Sequence, residues 1–191
     1  MSTQAGREIE IKLRLSGAAE GRRRLRRAGF RVARRRLHEL NTVFDTPAGE
    51  LCAAGLLLRL RICGSRRVLT FKGPSEPGRH KRRQEIELEL SDAAAFERIL
   101  ARLGFQAAFH YEKYRTEYRL SAGQGHAMLD ETPVGVFVEL EGAPGWIDSS
   151  ARRLGFSEAD YITATYAELH RNSAAARAGR RDMLFTPLRP G

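Results

Sequence analysis

Charged and apolar residues alternate along segment after segment of this chain, and that two-residue period decides what it can fold into. Successive strand side chains point to opposite faces. Glu8, Glu10, Lys12 and Arg14 therefore share one face, and Ile9, Ile11, Leu13 and Leu15 the other. The pattern returns where Arg59 and Arg61 alternate with Leu58, Leu60 and Ile62, and where Thr70 and Lys72 flank Phe71. It returns again at Arg83, Glu85, Glu87 and Glu89, at Lys113, Arg115 and Glu117, and at Glu139 and Glu141 around Leu140. One polar strand face is ordinarily the wet side of a sheet. Repetition on strand after strand, with both signs of charge, gathers the charged faces on one side of a whole sheet. The expected fold is α+β: if that sheet closes with its charged side inward, it is an eight-stranded antiparallel β-barrel with a charged lumen and flanking helices over its apolar outside. Such a lumen suits a metal-bound polyanion.

At 191 residues the chain reads as one domain. Thirty-three basic against 23 acidic residues give a formal +10, which favours phosphate-rich partners. Cys52 and Cys63 match neither a disulfide framework nor a zinc spacing. No apolar run reaches the ~18–20 residues of a membrane span, and no signal-type segment follows the start, so the expected location is cytoplasmic, away from any membrane. Transmembrane barrels share the polar-in, apolar-out arrangement. They carry aromatic girdles and lack amphipathic helices between strands, unlike this sequence.

The chain also echoes itself. Glu8-Ile-Glu-Ile-Lys-Leu leads through a helical segment to Ala28-Gly29-Phe30, and Glu85-Ile-Glu-Leu-Glu-Leu leads through another to Leu103-Gly104-Phe105. Ser16 and Ser91 are placed as N-caps, and Gly29 and Gly104 as left-handed helix stops. A single tunnel domain is expected over 1–171, from two related halves at about 7–78 and 79–142 followed by C-terminal helices. Strands are expected near Phe30–Asp45, Gly55–Cys63, Arg66–Gly73, Arg79–Leu90, Phe105–Leu120, His126–Glu131 and Gly135–Glu141, with a turn at Ala122–Gly125. Ser157 and Asp160 resemble a capping box opening a helix over Glu158–Arg171. The basic segment 172–191 reads as flexible.

Several motifs occur in a recognisable order: Glu8-x-Glu10-x-Lys12, Phe44-Asp45-Thr46-Pro47, Leu58-Arg59-Leu60-Arg61, Thr70-x-Lys72, Arg83-x-Glu85-x-Glu87, Lys113-x-Arg115, Leu129-Asp130-Glu131 and Phe137-Val138-Glu139-Leu140-Glu141-Gly142. With them the chain resembles the CYTH superfamily, the triphosphate tunnel metalloenzymes that include class IV adenylyl cyclases and thiamine triphosphatases. Coverage runs from about residue 7 to 170, and Tyr166-Ala167-Glu168-Leu169 is similar to the terminal helix. Val43 departs from the aromatic residue that commonly precedes Phe-Asp-Thr. The resemblance implies a Mg²⁺- or Mn²⁺-dependent enzyme acting on a small-molecule triphosphate.

The chemistry of the residues agrees. Arg59, Arg61 and Arg115 offer planar forks to phosphate oxygens, while Lys12, Lys72 and Lys113 act as point charges, with Arg83 beside them. Carboxylates would repel the same substrate unless a divalent cation stood between. Glu139 and Glu141, joined by Glu8, Glu10 or Asp130, give the hard-oxygen set that Mg²⁺ or Mn²⁺ favours. Lys72 is the candidate to position or deprotonate an attacking water, or else a phosphate clamp; Glu85 and Glu87 bind a second metal or orient the arginines.

The arginine-rich run from Arg22 to Arg36 reads as a solvated face, though nucleic acid or polyphosphate would also suit it. Trp146 and Phe156 are expected to pack the terminal helices onto the barrel. The expected activity is metal-dependent triphosphate hydrolysis, on tripolyphosphate, thiamine triphosphate or a nucleoside triphosphate, by a monomer or homodimer. The alternatives are an adenylyl cyclase on the same scaffold and a non-catalytic module binding polyphosphate or RNA.

Overall fold

The computed structural model describes residues 3–120 and 125–185. Eight strands, β1 (Thr3–Leu15), β2 (Arg31–Asp45), β3 (Leu57–Cys63), β4 (Arg66–Lys72), β5 (Lys81–Glu89), β6 (Gln106–Arg119), β7 (His126–Thr132) and β8 (Gly135–Glu141), form a closed barrel. Every neighbouring pair is antiparallel, and the order β1-β5-β4-β3-β2-β6-β7-β8 closes where β8 pairs with β1. Exchanging β1 with β5, β2 with β6, β3 with β7 and β4 with β8 returns the same cyclic order. β2 and β6 are the longest partners, and irregularities between Val32 and Leu37 and at Val43/Phe44 give them the bend that closure needs.

The apolar outer faces are covered by helices. Leu25 of α1 (Ala18–Arg27) and Ile147, Ala151 and Leu154 on or next to α4 (Pro144–Arg153) pack on Ile11, Leu13, Leu129, Val138 and Leu140. On the other side, Ala93, Phe96 and Leu100 of α3 (Ala93–Arg102) cover Phe44, Leu58 and Leu60. A third cluster, Tyr111, Phe137, Tyr166 and Met183, combines lumen-parity residues of β6 and β8 with residues from the C-terminal part of the chain. It packs one part of the lumen with aromatic rings instead of charge.

Gly29 and Gly104, both at φ +87°, end α1 and α3 in the left-handed conformation that a side chain would strain, and Gly155 ends α4 the same way at +82°. The caps differ from expectation. α1 starts at Gly17, with the Ser16 hydroxyl and amide donating to Glu20, and α3 is capped by Asp92, whose carboxylate accepts the Ala95 N–H at 2.9 Å. A short helix α2 (Glu50–Ala53) was not foreseen.

The helix expected over Glu158–Arg171 is broken. Ser157 and Asp160 do form a capping box, but on a single 3-10 turn. Ile162 then runs extended and exchanges two backbone hydrogen bonds with Lys12, serving the edge of β1 beyond the end of β5. A second box, Thr165 with Glu168, opens α5 (Tyr166–Arg171). Of the segment 172–191, expected to be flexible, residues 186–191 lie outside the described residues; the rest carries α6 (Ala174–Arg177) and fully buries Met183, whose backbone bonds to His110 and Glu112. Residues 122–124 of the expected turn lie outside the described residues.

Trp146 and Phe156 pack against the α1–α4 cluster as expected, and Trp146 sits directly on Gly125. A methyl group on Gly125 would stand 2.4 Å from the indole carbons, whereas Gly145 on α4 faces open space. Gly125→Ala should cost about 1–3 kcal/mol, lowering Tm by about 2–4 °C per kcal/mol. Gly145→Ala should hold or raise it. Thermal melts of both variants check the packing.

Candidate active site

Inside the barrel lies a cavity of about 1230 Å³, walled by the charged faces of the strands. Its β3 and β6 side is basic. The Arg59 guanidinium donates to Thr70 Oγ1 at 3.0 Å and to Tyr111 Oη at 3.2 Å, and Arg61 donates to Glu87 at 3.3 Å. The β1, β5 and β8 side carries the carboxylates. Glu8 accepts from Lys72 at 2.6 Å and from Arg83 at 3.0 Å, and Glu85 stands 3.0 Å from Lys72. Glu10 accepts from Lys12 at 3.1 Å, with Glu139 3.4 Å from the same ammonium.

One carboxylate has no such partner. Glu141 lines the cavity without a hydrogen bond or ion pair among the described residues. Burial, then the neighbouring charges of Glu8 and Glu85, push its pKa up to about 7. Glu85 is also raised, by burial and by Glu8 against the pull of Lys72. Burial opposes ionisation of Glu10 and Glu139 as well. There Lys12, and for Glu139 first Arg115, override it and hold both well below the usual carboxylate range.

The structure brings Glu8, Glu10, Lys12, Arg59, Arg61, Lys72, Arg83, Glu85, Glu87, Lys113, Arg115, Glu139 and Glu141 to this one cavity. Asp130, expected among the metal carboxylates, does not line it. It is fully buried beneath Arg115, which grips it with two hydrogen bonds at 2.7 and 2.6 Å and also reaches Glu139. Lys113 and the Tyr166 hydroxyl, each at 2.8 Å, complete its shell. With its oxygens so engaged, Asp130 orients two cations from outside the cavity lining. No group of three acidic, His or Cys side chains converges on a common point among the described residues. The carboxylates are turned onto lysines and arginines instead.

Asp45 in the Phe-Asp-Thr motif is likewise occupied with the fold. It accepts the backbone N–H groups of Thr46, Leu51 and Cys52 at 2.8–3.0 Å and so fixes α2 at the rim of the cavity. Sequence reading passed over Glu39, Lys81, Tyr111 and Tyr166. Glu39 is buried and held at about 2, burial being outweighed by Lys113 and then Arg115. Tyr111 stands two residues before Lys113 and Lys81 two before Arg83, so the same alternation would have found both. Tyr166 comes from a helix outside the barrel, where no strand period could point to it.

The sequence profile of the CYTH domain matches residues 6–166. The chain belongs to the CYTH family. Its members are enzymes, generally dependent on a divalent metal. A Methanocaldococcus jannaschii protein named as a candidate adenylate cyclase is 27% identical to this CYTH chain over 135 residues, covering 70% of it and 75% of the relative. A Pyrococcus horikoshii structure aligns at TM-score 0.70 with 26% identity, covering 85% of this chain and 97% of the other. The fold recurs in a Vibrio parahaemolyticus candidate adenylate cyclase (TM-score 0.73, 21% identity, 87% and 99% covered). It recurs again in a Hippeastrum protein described as a candidate adenylyl cyclase with a dominant triphosphatase activity (TM-score 0.60, 20% identity, 96% and 100% covered). No helix among the described residues of this CYTH chain is long and apolar enough to cross a membrane.

Two measurements probe the electrostatics of the site. Asp130→Asn leaves Lys113 and Arg115 buried without their shared counter-charge and should cost roughly 3–5 kcal/mol in a denaturant titration. Glu141 works in the opposite sense. Its folded pKa lies above the ordinary 4.5, so between about 4.5 and 7 the folded state holds the extra proton and this group lowers stability as pH rises. Unfolding titrations of the metal-free protein across that window should show stability rising more steeply, or falling less, in Glu141→Gln than in the parent.

Proposed function

We propose that this protein is a divalent-metal-dependent triphosphate phosphohydrolase. The observation that carries this reading is the division of one cavity into a guanidinium-rich wall and a carboxylate wall that includes an uncompensated Glu141. A triphosphate carries about four negative charges near neutral pH, and cations facing it in a water-poor tunnel count for more than on a surface. Arg59, Arg61 and Arg115 would take phosphate oxygens in forks, and Lys12, Lys72, Arg83 and Lys113 would neutralise the rest. Asp130 would position Lys113 and Arg115 from beneath.

The acidic wall fits a hard cation in donor chemistry: its donors are all carboxylate oxygens, as Mg²⁺ or Mn²⁺ favours, and Glu141 has no protein cation to satisfy it. Glu139, Glu141, Glu8 and Glu10 would hold it, with Glu85 and Glu87 orienting Lys72 and the arginines. When bound, the ion supplies Lewis acidity toward the phosphoryl oxygens. In hydrolysis a water oxygen bonds to the terminal phosphorus while the bridging P–O bond breaks, releasing orthophosphate and a diphosphate. Lys72, held by Glu8 and Glu85, would position that water, and the arginines would stabilise the charge spreading over the equatorial oxygens.

The adenylyl cyclase reading uses the same walls. It is favoured by the size of the cavity and by an apolar lining of Val43, Leu56, Leu57 and Phe109, which would admit a nucleoside beside the phosphates. The dominant triphosphatase activity of the Hippeastrum protein, with the same fold, supports the hydrolase as first choice. Chromatography of the products decides between them. Tripolyphosphate with Mg²⁺ or Mn²⁺ should yield orthophosphate, and ATP should yield it more slowly; cyclic AMP as the main product from ATP would overturn the hydrolase. Glu141→Gln should cut turnover about a hundredfold or more while the protein stays folded. Full activity in that variant sinks the carboxylate assignment.

A further inference from the structure

Lys81 is the first residue of β5 and the one buried cation of the cavity wall, among the described residues, whose charged group makes no hydrogen bond. Lys12, Arg59, Lys72, Arg83, Lys113 and Arg115 each donate to a carboxylate or hydroxyl of the protein. Lys81 is only 4% exposed, and its nearest carboxylate oxygen, on Glu10, is 3.7 Å away, beyond hydrogen-bonding distance. Its place is fixed on both sides. Register puts it opposite Glu10 of β1, and the preceding His80 is buried and held by Asp148 at 2.7 Å. A buried ammonium whose three donors meet no protein acceptor is costly unless something else accepts from it. Against the pull of Glu10, Lys12, Arg83 and Lys72 crowd it with like charge, so a multivalent anion would both occupy its donors and relieve that repulsion.

We propose that Lys81 is a substrate-binding residue whose ammonium donates to a phosphoryl group of the triphosphate in this cavity. The assignment rests on the hydrolase reading above and extends it to a cation outside the recurring motifs. Because no described side chain accepts a hydrogen bond from this group, its donors remain available to a ligand, and its contribution appears on binding. A residue of that kind weakens substrate affinity when truncated, without loosening the fold.

Lys81→Met keeps the length of the side chain and removes charge and donors. It should raise KM for tripolyphosphate about tenfold or more and weaken metal-free tripolyphosphate binding, read by isothermal titration calorimetry, to a similar degree. Its Tm should equal or exceed that of the parent. Lys81→Arg should recover most of the affinity. If the parent binds and cleaves tripolyphosphate while Lys81→Met matches it in KM and in the calorimeter, the Lys81 assignment is overturned and the hydrolase stands. A lower Tm in Lys81→Met with unchanged KM would show a purely structural role and overturn it equally. A parent that neither binds nor cleaves tripolyphosphate removes both.

Discussion

Everything in this molecule is arranged around the cancellation of charge inside a closed sheet. Lys12, Arg59, Arg61, Lys72, Lys81, Arg83, Lys113 and Arg115 face Glu8, Glu10, Glu39, Glu85, Glu87, Asp130, Glu139 and Glu141, one carboxylate for each cation. A buried ion is tolerated only when its partner is close and its remaining donors or lone pairs are used, and one unmatched member costs more than the pair returns. The barrel supplies that matching by register: Glu8 is opposite Arg83, Lys12 opposite Glu139 and Arg115 opposite Asp130. Closure matters for the same reason, since an open sheet would hydrate these faces and weaken each contact. The two departures from full matching, Glu141 and Lys81, lie on the carboxylate-rich side, where the proposed chemistry takes place.

Since the lumen cancels, the formal +10 of the chain resides outside it. Much of that excess is carried by α1 and the start of β2, where Arg22, Arg23, Arg26, Arg27, Arg31 and Arg35 are exposed. Arg24, Arg34 and Arg36 of the same run are paired with Glu20, Glu117 and Glu131. The run thus divides into arginines paired with carboxylates at the surface and arginines that face solvent alone.

The two-residue period is enough to place all eight strands and most of the charged lumen residues, because a barrel wall is a single sheet with one inside. Periodicity reports a face but not a depth. Asp130 has the right parity yet sits below the cavity floor, and only the geometry of Arg115 and Lys113 shows that its oxygens are taken. Helix starts were misplaced by a residue where two good caps adjoin, as at Ser91-Asp92. The helix expected from Glu158 failed for a non-local reason. The backbone of Lys12 lacks a partner where β5 stops, and Ile162 supplies it at the expense of helical continuity. Nothing within residues 158–171 carries that information.

That same contact has a bearing on how the chain is made. β1 is the first strand of the barrel to be synthesised, yet its ladders are completed by Lys81–Leu88, by Val136–Glu141 and lastly by Ile162. A nascent barrel must therefore carry an alternating, half-apolar strand with one edge open until β8 has been made. Contacts so distant along the chain make closure slow and leave the unfinished sheet prone to pairing with other chains. The charges on its inner face oppose such mispairing, because a foreign strand would have to match both signs at every second residue. The residues that line the cavity thus also keep the growing barrel apart from its neighbours.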